Sequence, residues 1–486
     1  VFTVETEKRR FRDSLAVKIA IIGGLILILL IPLGMVSSLV SERQSRQKEA
    51  AKEVADSWGR PQVLAGPVLT VPYLVHIKNE KGLNIGTQTY WVRFLPETLK
   101  IEGNVESEKR NRGIFEVAVY RTGLHWTGTF QRPSFDDWHV EPEDILWRDA
   151  YLAIGVPDMR GTTSGVGLTW GNRTLQLAPG GAEGGLWHSG LKVGVPDLEA
   201  GKTGDSYAFA FDLAVNGSEE LSFLPLAKET TVALKSNWPS PSFCGEFLPA
   251  KRTVRGTGFE ALWNVSWFGR SYPQQWRTSE TKEQVPATQL NASTGRDYPQ
   301  ELRTSEAKEQ APADALNASA FGVQLFQPVD AYQKTERSTK YAALFLVLTF
   351  LTFFLYEQFN PFSLHPVQYL LVGFALCLFY LLLLSISEHT PFGLAYLTAA
   401  AATVLLIGGY SAAILHGALR ALLMTFVLGS LYGYLYVLLQ LEDYALLLGS
   451  LGLFLILALV MYLTRRIDWA SPRRNPLPVT DAVPNR

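Results

Sequence analysis

The sequence predicts a membrane protein: six transmembrane α-helices plus one large, mainly antiparallel β domain outside the bilayer. Three observations predict it. The first is the distribution of charge. The chain holds 44 Lys and Arg against 45 Asp and Glu, yet residues 341–464 contain just Glu357, Glu388, Arg420, Glu442 and Asp443. The second is an uncharged apolar run from Ile19 to Val40, long enough to match the roughly 20 residues of a helical span. The third is the stretch after residue 60, where β-branched and alternating segments are cut by Pro, Gly, Asn and Asp, the pattern of short strands and turns.

Whole-chain averages conceal this division. The protein has 486 residues, is 47% hydrophobic and 18% charged, and carries a net charge of −1. Those values exclude a disordered polymer, a collagen, a disulfide-rich secreted scaffold and a strongly basic nucleic-acid binder. The segment 41–340 is about 23% charged, an ordinary water-facing composition.

In chain order, Lys8, Arg9, Arg10, Arg12 and Lys18 precede the first span, the flank expected on the cytoplasmic side. A cleaved signal peptide is the alternative, with Ser37-Ser38-Leu39-Val40-Ser41 as a weak cleavage site. The apolar run exceeds the roughly 7–15 residues of a signal h-region, so an uncleaved anchor at 19–40 is favoured. A helix over Ser41–Trp58 is expected to continue it.

The domain at 41–340 is long enough to bury a core without disulfides. Its Cys244 and the span residue Cys377 face different solvents, so no bond between them is expected. Val63, Val68, Leu69, Val71, Leu74 and Val75, punctuated by Pro61, Pro67 and Pro72, suit short or edge strands. Further strands are expected in Tyr90–Leu95, Phe115–Tyr120, Leu168–Leu177, Tyr207–Val215, Thr230–Leu234 and Phe259–Phe268. Within 272–320 the chain repeats itself at an offset of 26 residues: Tyr-Pro-Gln, Arg-Thr-Ser-Glu, Lys-Glu-Gln and Leu-Asn-Ala-Ser each occur twice. Two copies are too few for a solenoid, and the polar composition suits an exposed insert, with a partner-binding arm as the sharper alternative.

Five further spans are expected at 341–356, 367–386, 392–415, 421–439 and 445–463. Counting crossings from a cytoplasmic start places the acidic loops 387–391 and 440–444 outside. Arg420, and Arg465, Arg466, Arg473 and Arg474 of the tail 464–486, fall inside. This agrees with the positive-inside rule and makes both termini cytoplasmic.

Candidate chemistry is thin. Ala200-Gly201-Lys202-Thr203 lacks the upstream Gly of a phosphate-binding loop, having Pro196 there. Pro179 and Gly180-Gly181-Ala182-Glu183-Gly184-Gly185 form a loop without a dinucleotide-binding register. Lys202-Thr203-Gly204 with Ser279-x-x-Lys282 and Ser305-x-x-Lys308 has the elements of a serine β-lactamase in the wrong order. His125, His139 and His188 each adjoin a Trp. Glu141, Glu143 and Asp144 follow His139, but no H-x-H or H-E-x-x-H spacing supports a metal. Glu357, Glu388, His389, His416 and Arg420 fall at span ends, unlike the mid-membrane ionisable groups of a proton-coupled transporter. Ala399–Ala402 and Gly408-Gly409 suit close helix packing, and Tyr432, Tyr434 and Tyr436 suit packing or an interface. No catalytic, cofactor-binding or metal-ligating residue is assigned, and no cofactor is expected.

Several ordered stretches carry a family resemblance: Gln62-Val-Leu-Ala-Gly66-Pro67-x-Leu69-x-x-Pro72, Phe94-Leu-Pro96-Glu97, Val156-Pro-Asp158-Met-Arg160-Gly161, Ser236-Asn237-Trp238-Pro239-Ser-Pro241-Ser242-Phe243 and Gly245-Glu246-Phe247-Leu248-Pro249. On the membrane side follow Tyr332-Gln333, Lys340-Tyr341, Leu364-His365-Pro366-x-x-Tyr369-Leu-Leu-Val372-Gly373, Ser387-Glu388-His389-Thr390 and Asp468-Trp469. Together, from about residue 16 to 469, the chain resembles the CreD family of bacterial inner-membrane proteins. The resemblance implies a multi-pass inner-membrane protein with a large periplasmic domain, linked to envelope integrity and cell-wall or β-lactam stress. It supplies no catalytic residues. The duplicated insert at 272–320 departs from the family pattern.

Two functions follow as expectations. One is a non-enzymatic envelope protein whose periplasmic domain binds another envelope component, with membrane lipids around its spans and no nucleic acid. The other is a membrane enzyme or transporter for a lipid or cell-wall precursor, using Asp158, Arg160, Glu388 and His389. On residue chemistry alone, Asp158 and Arg160 beside Gly161 suit a turn, and Asn237-Trp238-Pro239 suits a buried corner.

Overall fold

A computed structural model describes residues 15–78, 83–162, 165–181, 187, 189–195, 198, 206–279, 313–325, 331–359, 364–415, 418–441 and 444–465. Lys8 to Arg12, Lys202 to Gly204, Lys282, Ser305, Lys308, His188, His416, Glu442, Asp443, the tail after Arg465 and the centre of the duplicated insert lie outside the described residues. The chain divides into two compact units, one of residues 1–46 with 329–486, the other of residues 47–328.

The second unit is built from strands β1 (Gln62–Lys78), β2 (Asn84–Phe94), β3 (Thr98–Arg112), β4 (Phe115–Gln131), β5 (Tyr151–Gly155), β6 (Gly167–Trp170), β7 (Arg173–Gln176), β8 (Ala178–Pro179), β9 (Gly190–Gly194), β10 (Ser206–Ser218), β11 (Glu220–Phe223), β12 (Glu229–Ser236), β13 (Pro241–Gly245), β14 (Lys251–Arg255), β15 (Gly258–Ser266), β16 (Gln275–Ser279) and β17 (Phe321–Leu325). They form a nine-stranded sheet, ordered β13-β17-β11-β1-β5-β9-β8 with β2 and β16 branching from β1, and an eight-stranded sheet ordered β14-β15-β12-β3-β4-β10-β6-β7. All pairings are antiparallel except β1 with β11 and β12 with β3. The sheets share one core, in which Leu64, Leu69, Val71, Val92 and Phe321 of the first join Ile101, Trp126, Phe130, Phe211 and Trp263 of the second.

The expected strands correspond to β1, β2, β4, β6, β7, β10, β12 and β15, with instructive differences, while β3, β5, β8, β9, β11, β13, β14, β16 and β17 were not among them. Instead of several proline-broken pieces, residues 62–78 form one long strand that pairs in turn with β11, β5 and β2. Pro72 is tolerated because its carbonyl faces away from β2, accepting from the Leu146 amide at 2.9 Å. Its missing N–H therefore falls on the side where pairing with β5 has ended at Thr70. Gly66, at φ +107°, sits where the register shifts, and a Cβ there would approach the Ala153 carbonyl oxygen to 2.8 Å. Residues 168–177 make a hairpin rather than a single strand, with Gly171 at φ +55° in its turn.

The repeat also has a structural logic. Tyr272 and Trp276, from its first copy, and Leu316, from its second, pack in the same buried cluster with Ala65, Val68 and Leu95. One copy's worth of core is thus assembled from the front of the first copy and the back of the second, in β16 and the short helix α2 (Ala313–Ala318). These ends are integral to the β unit rather than exposed.

The other unit is helical. Helix α1 (Leu15–Trp58) is continuous, as the run of apolar then helix-favouring residues predicts. It is followed by α3 (Ala331–Lys340), α4 (Ala342–Phe359), α5 (Pro366–Ser387), α6 (Phe392–Leu415), α7 (Ala418–Gln440) and α8 (Ala445–Thr464). Among the described residues five helices are long and apolar enough to cross a membrane, or six if α3 and Ala342–Gln358 of α4, bent by 47°, count as one span. Pro366 opens α5, where the amide of Val367 donates to the His365 ring and Gln368 reaches back to the His365 amide. Leu29 and Leu33 of α1 join Phe345 and Phe350 of α4 and Phe379 of α5 in the bundle core. A side chain at Gly373 would collide with Leu29, so glycine there admits close packing of α1.

Candidate functional site

On the outward face of the eight-stranded sheet, register aligns Glu260, Lys235, Asn104, Gly123 and Ala214 in one row and Leu262, Ala233, Glu102, His125 and Asp212 in the next. Strand alternation sends their neighbours Leu124, Trp126, Leu213, Leu234 and Trp263 into the core. The small residues Gly123, Ala214 and Ala233 leave an open trough of about 950 Å³ between taller side chains. Glu102, His125 and Asp212 stand on one side, while Lys235 and Lys251 stand on the other beside Glu260.

Local ion pairs tie these groups down loosely. His125 Nδ1 lies 2.6 Å from Asp212 Oδ1, Lys235 pairs with Glu260 at 3.2 Å, and Lys100 pairs with Glu102 at 2.6 Å. The hydrogen bond from Lys100 holds the Glu102 carboxyl below its usual range, with the lysine charge acting in the same direction. Exposed pairs of this kind contribute little to stability, so exchanging them for contacts to an incoming ligand costs little. The trough therefore suits an elongated ligand that carries both positive and negative groups.

The motif residues of the β unit build structure. Asp158 is buried and accepts from the amides of Arg60 and Arg160 at 3.1 and 3.0 Å, with the Arg160 guanidinium 3.4 Å away. Gly161, at φ +76°, turns the chain there against Asn216. Asn237 clasps the backbone of Ser107 through both its amide atoms, at 2.8 and 3.0 Å, and Trp238 is buried beside it. His125 faces outward while Trp126 lies in the core. Asp144 pairs with His76 at 2.9 Å rather than with His139. Among the described residues no cluster of three or more potential metal ligands occurs.

In the helical unit two polar clusters flank the apolar stretch of α1. Near its start, Lys18 donates to Glu357, and the Tyr369 hydroxyl donates to the same carboxylate at 3.2 Å. Glu357 does not lie in a loop, as the span boundaries suggested: it belongs to α4 and is 1% exposed. Further along, Arg43 stands 3.5 Å from Glu388, which also accepts from the Tyr332 hydroxyl at 3.2 Å. Lys18 and Arg43 are about 37 Å apart along the helix, so the pairs bracket a hydrocarbon layer of about 30 Å. Asp158 and Arg160 belong to the β unit, Glu388 and the exposed His389 to the helical one. Charge counting alone missed Tyr332 and Tyr369, although both fall in the family-like stretches.

Comparison with known proteins agrees with this architecture. A sequence profile described as "Inner membrane protein CreD" matches residues 14–470. The Inner membrane protein CreD of Escherichia coli is 33% identical over 456 residues, covering 93% of each chain. Two solved structures of a mutant M1 zinc metallopeptidase from Deinococcus radiodurans, one bound to a Tyr-Ser-Ala substrate, match with 10% identity over 35% of this chain. They cover 38% and 39% of those chains, with TM-scores of 0.19 and 0.17.

Proposed function

This chain belongs to the CreD family of inner membrane proteins, and from that premise we propose that it is a non-enzymatic, membrane-anchored binding protein. Its β unit stands on the periplasmic side and engages another envelope component, supporting envelope integrity under cell-wall or β-lactam stress. The orientation rests on the positive-inside argument, which keeps Lys18 and Arg420 cytoplasmic and the 387–391 loop outside. The observation that carries the binding role is the trough of about 950 Å³ on the eight-stranded sheet, with acidic and basic sides facing each other across Gly123, Ala214 and Ala233.

A photo-crosslinking residue at Ala233, in the full-length protein in intact cells, tests it. A discrete adduct with an envelope component is expected, lost when Ala214→Trp fills the trough. The same substitution is expected to remove any protection against a β-lactam at unchanged protein level. No adduct at Ala233, or protection unaltered by Ala214→Trp, overturns the reading. The alternative, a membrane enzyme or transporter, rests on Glu388 and His389. It gains ground if His389→Ala abolishes protection while Ala214→Trp does not.

A further inference from the structure

Small residues on helices α6 and α7 leave a groove of about 460 Å³, lined by Gly393, Tyr396, Ala400, Gly429, Gly433 and Tyr436 among others. Gly429 and Gly433 are one helical turn apart, and a Cβ at either would meet nothing within 4 Å. Such spacing ordinarily lets a second helix approach, so the chemistry of the groove's ends must decide between occupants. The groove runs from Gly393 to Val404, about 16 Å along α6.

One end of this apolar groove is polar and cationic. Tyr396 packs on Phe392 and Tyr436, with ring centroids 6.1 and 5.2 Å apart, and its hydroxyl donates to the Tyr432 carbonyl oxygen at 2.7 Å. The Lys334 ammonium stands 5.7 Å above the Phe392 ring, and among the described residues no carboxylate lies within ion-pairing distance of it. Neighbouring acids are engaged elsewhere, Glu336 by Lys340 and Gln44 and Glu388 by Arg43 and Tyr332. The positive end of the α6 dipole opens at the same place.

We propose that this groove is a binding site for a lipid with an anionic headgroup. One acyl chain lies along Gly429 and Gly433, and the headgroup meets Lys334 at the start of α6. The site is independent of the trough on the β unit.

Native mass spectrometry of the full-length protein, supplied with equal dioleoyl phosphatidylglycerol and dioleoyl phosphatidylcholine, tests this. Wild-type protein is expected to retain phosphatidylglycerol preferentially. Lys334→Gln reduces that preference about fivefold, the effect of one lysine at a charged lipid surface. Gly433→Leu removes retention of both lipids, and Gly449→Leu on α8, another open position, leaves it intact. Ala401→Leu fills the groove from an exposed position and keeps the test readable if Gly433→Leu lowers the melting temperature. Retention unchanged in Ala401→Leu, a preference unaffected by Lys334→Gln, or a Gly433→Leu protein that loses an oligomer while keeping its lipid, each overturns the proposal.

Discussion

Lys18 and Glu357, 339 residues apart in the chain, form an ion pair in which the carboxylate is almost wholly buried and the lysine keeps part of its surface in contact with solvent. The asymmetry matters, because a long lysine side chain can turn its charge towards water whereas Glu357 is held inside the bundle.

Removing Lys18 is therefore expected to be worse than removing Glu357. Lys18→Met takes the lysine charge away from the buried carboxylate, which keeps the Tyr369 hydroxyl, and costs about 3 kcal/mol. Glu357→Gln costs less, and the double variant is more stable than Lys18→Met alone. Unfolding of the detergent-solubilised protein in a double-mutant cycle measures the coupling. Additive effects would show that the pair contributes nothing specific.

Asp158 ties the chain at Arg60 to the turn at Arg160. Asp158→Ala is expected to destabilise the β unit by about 1–3 kcal/mol, because two backbone amides lose a charged acceptor. Arg160→Ala leaves those amide bonds in place and costs under about 1 kcal/mol, as its guanidinium is largely exposed. Denaturant midpoints of the two variants check the order.

Deleting residues 287–312 joins the first copy of the repeat to the second at equivalent positions and returns the sequence to one copy. Tyr272, Trp276 and Leu316 remain, so the buried cluster they share is retained. Stability is expected to change by less than about 1 kcal/mol, since loop length enters folding only logarithmically. A large fall in melting temperature would mean that the deleted residues contribute core packing.

The Cys244 thiol is pushed above its ordinary pKa, first by burial and then by the charge of Glu220, partly offset by the Ser222 hydroxyl. A raised thiol pKa means a smaller thiolate fraction at neutral pH. Labelling by a membrane-impermeant maleimide is therefore expected to be slower than for an exposed cysteine at pH 7, and to climb about tenfold per pH unit while the thiol stays mostly protonated. Glu220→Gln lowers the pKa and speeds labelling at fixed pH. An unchanged rate in that variant would remove the electrostatic contribution.

Much of the architecture is legible in residue patterns. The charge-poor spans can be read one segment at a time, because a helix in lipid satisfies its backbone within itself and needs about 20 apolar residues to do so. Strands such as β4 and β10 show alternation for an equally local reason. β3 carries the same alternation, Leu99, Ile101 and Val105 against Lys100, Glu102, Asn104 and Glu106, yet it was not among the expected strands because its density of charge disguised the period. Other features have no local signature. Pro72 breaks the expected strand pattern, yet its place is decided by where β5 stops.

By itself, then, the sequence determined the division between two solvents, the helical spans and the β character of the remainder, since hydropathy and alternation act over a few residues. Tertiary structure decided which polar groups meet: Glu357 with Lys18, Asp144 with His76, and Glu102, His125 and Asp212 side by side. Those meetings depend on strand order and helix packing between residues far apart in the chain, where burial energy and steric fit, rather than local preference, select the partner.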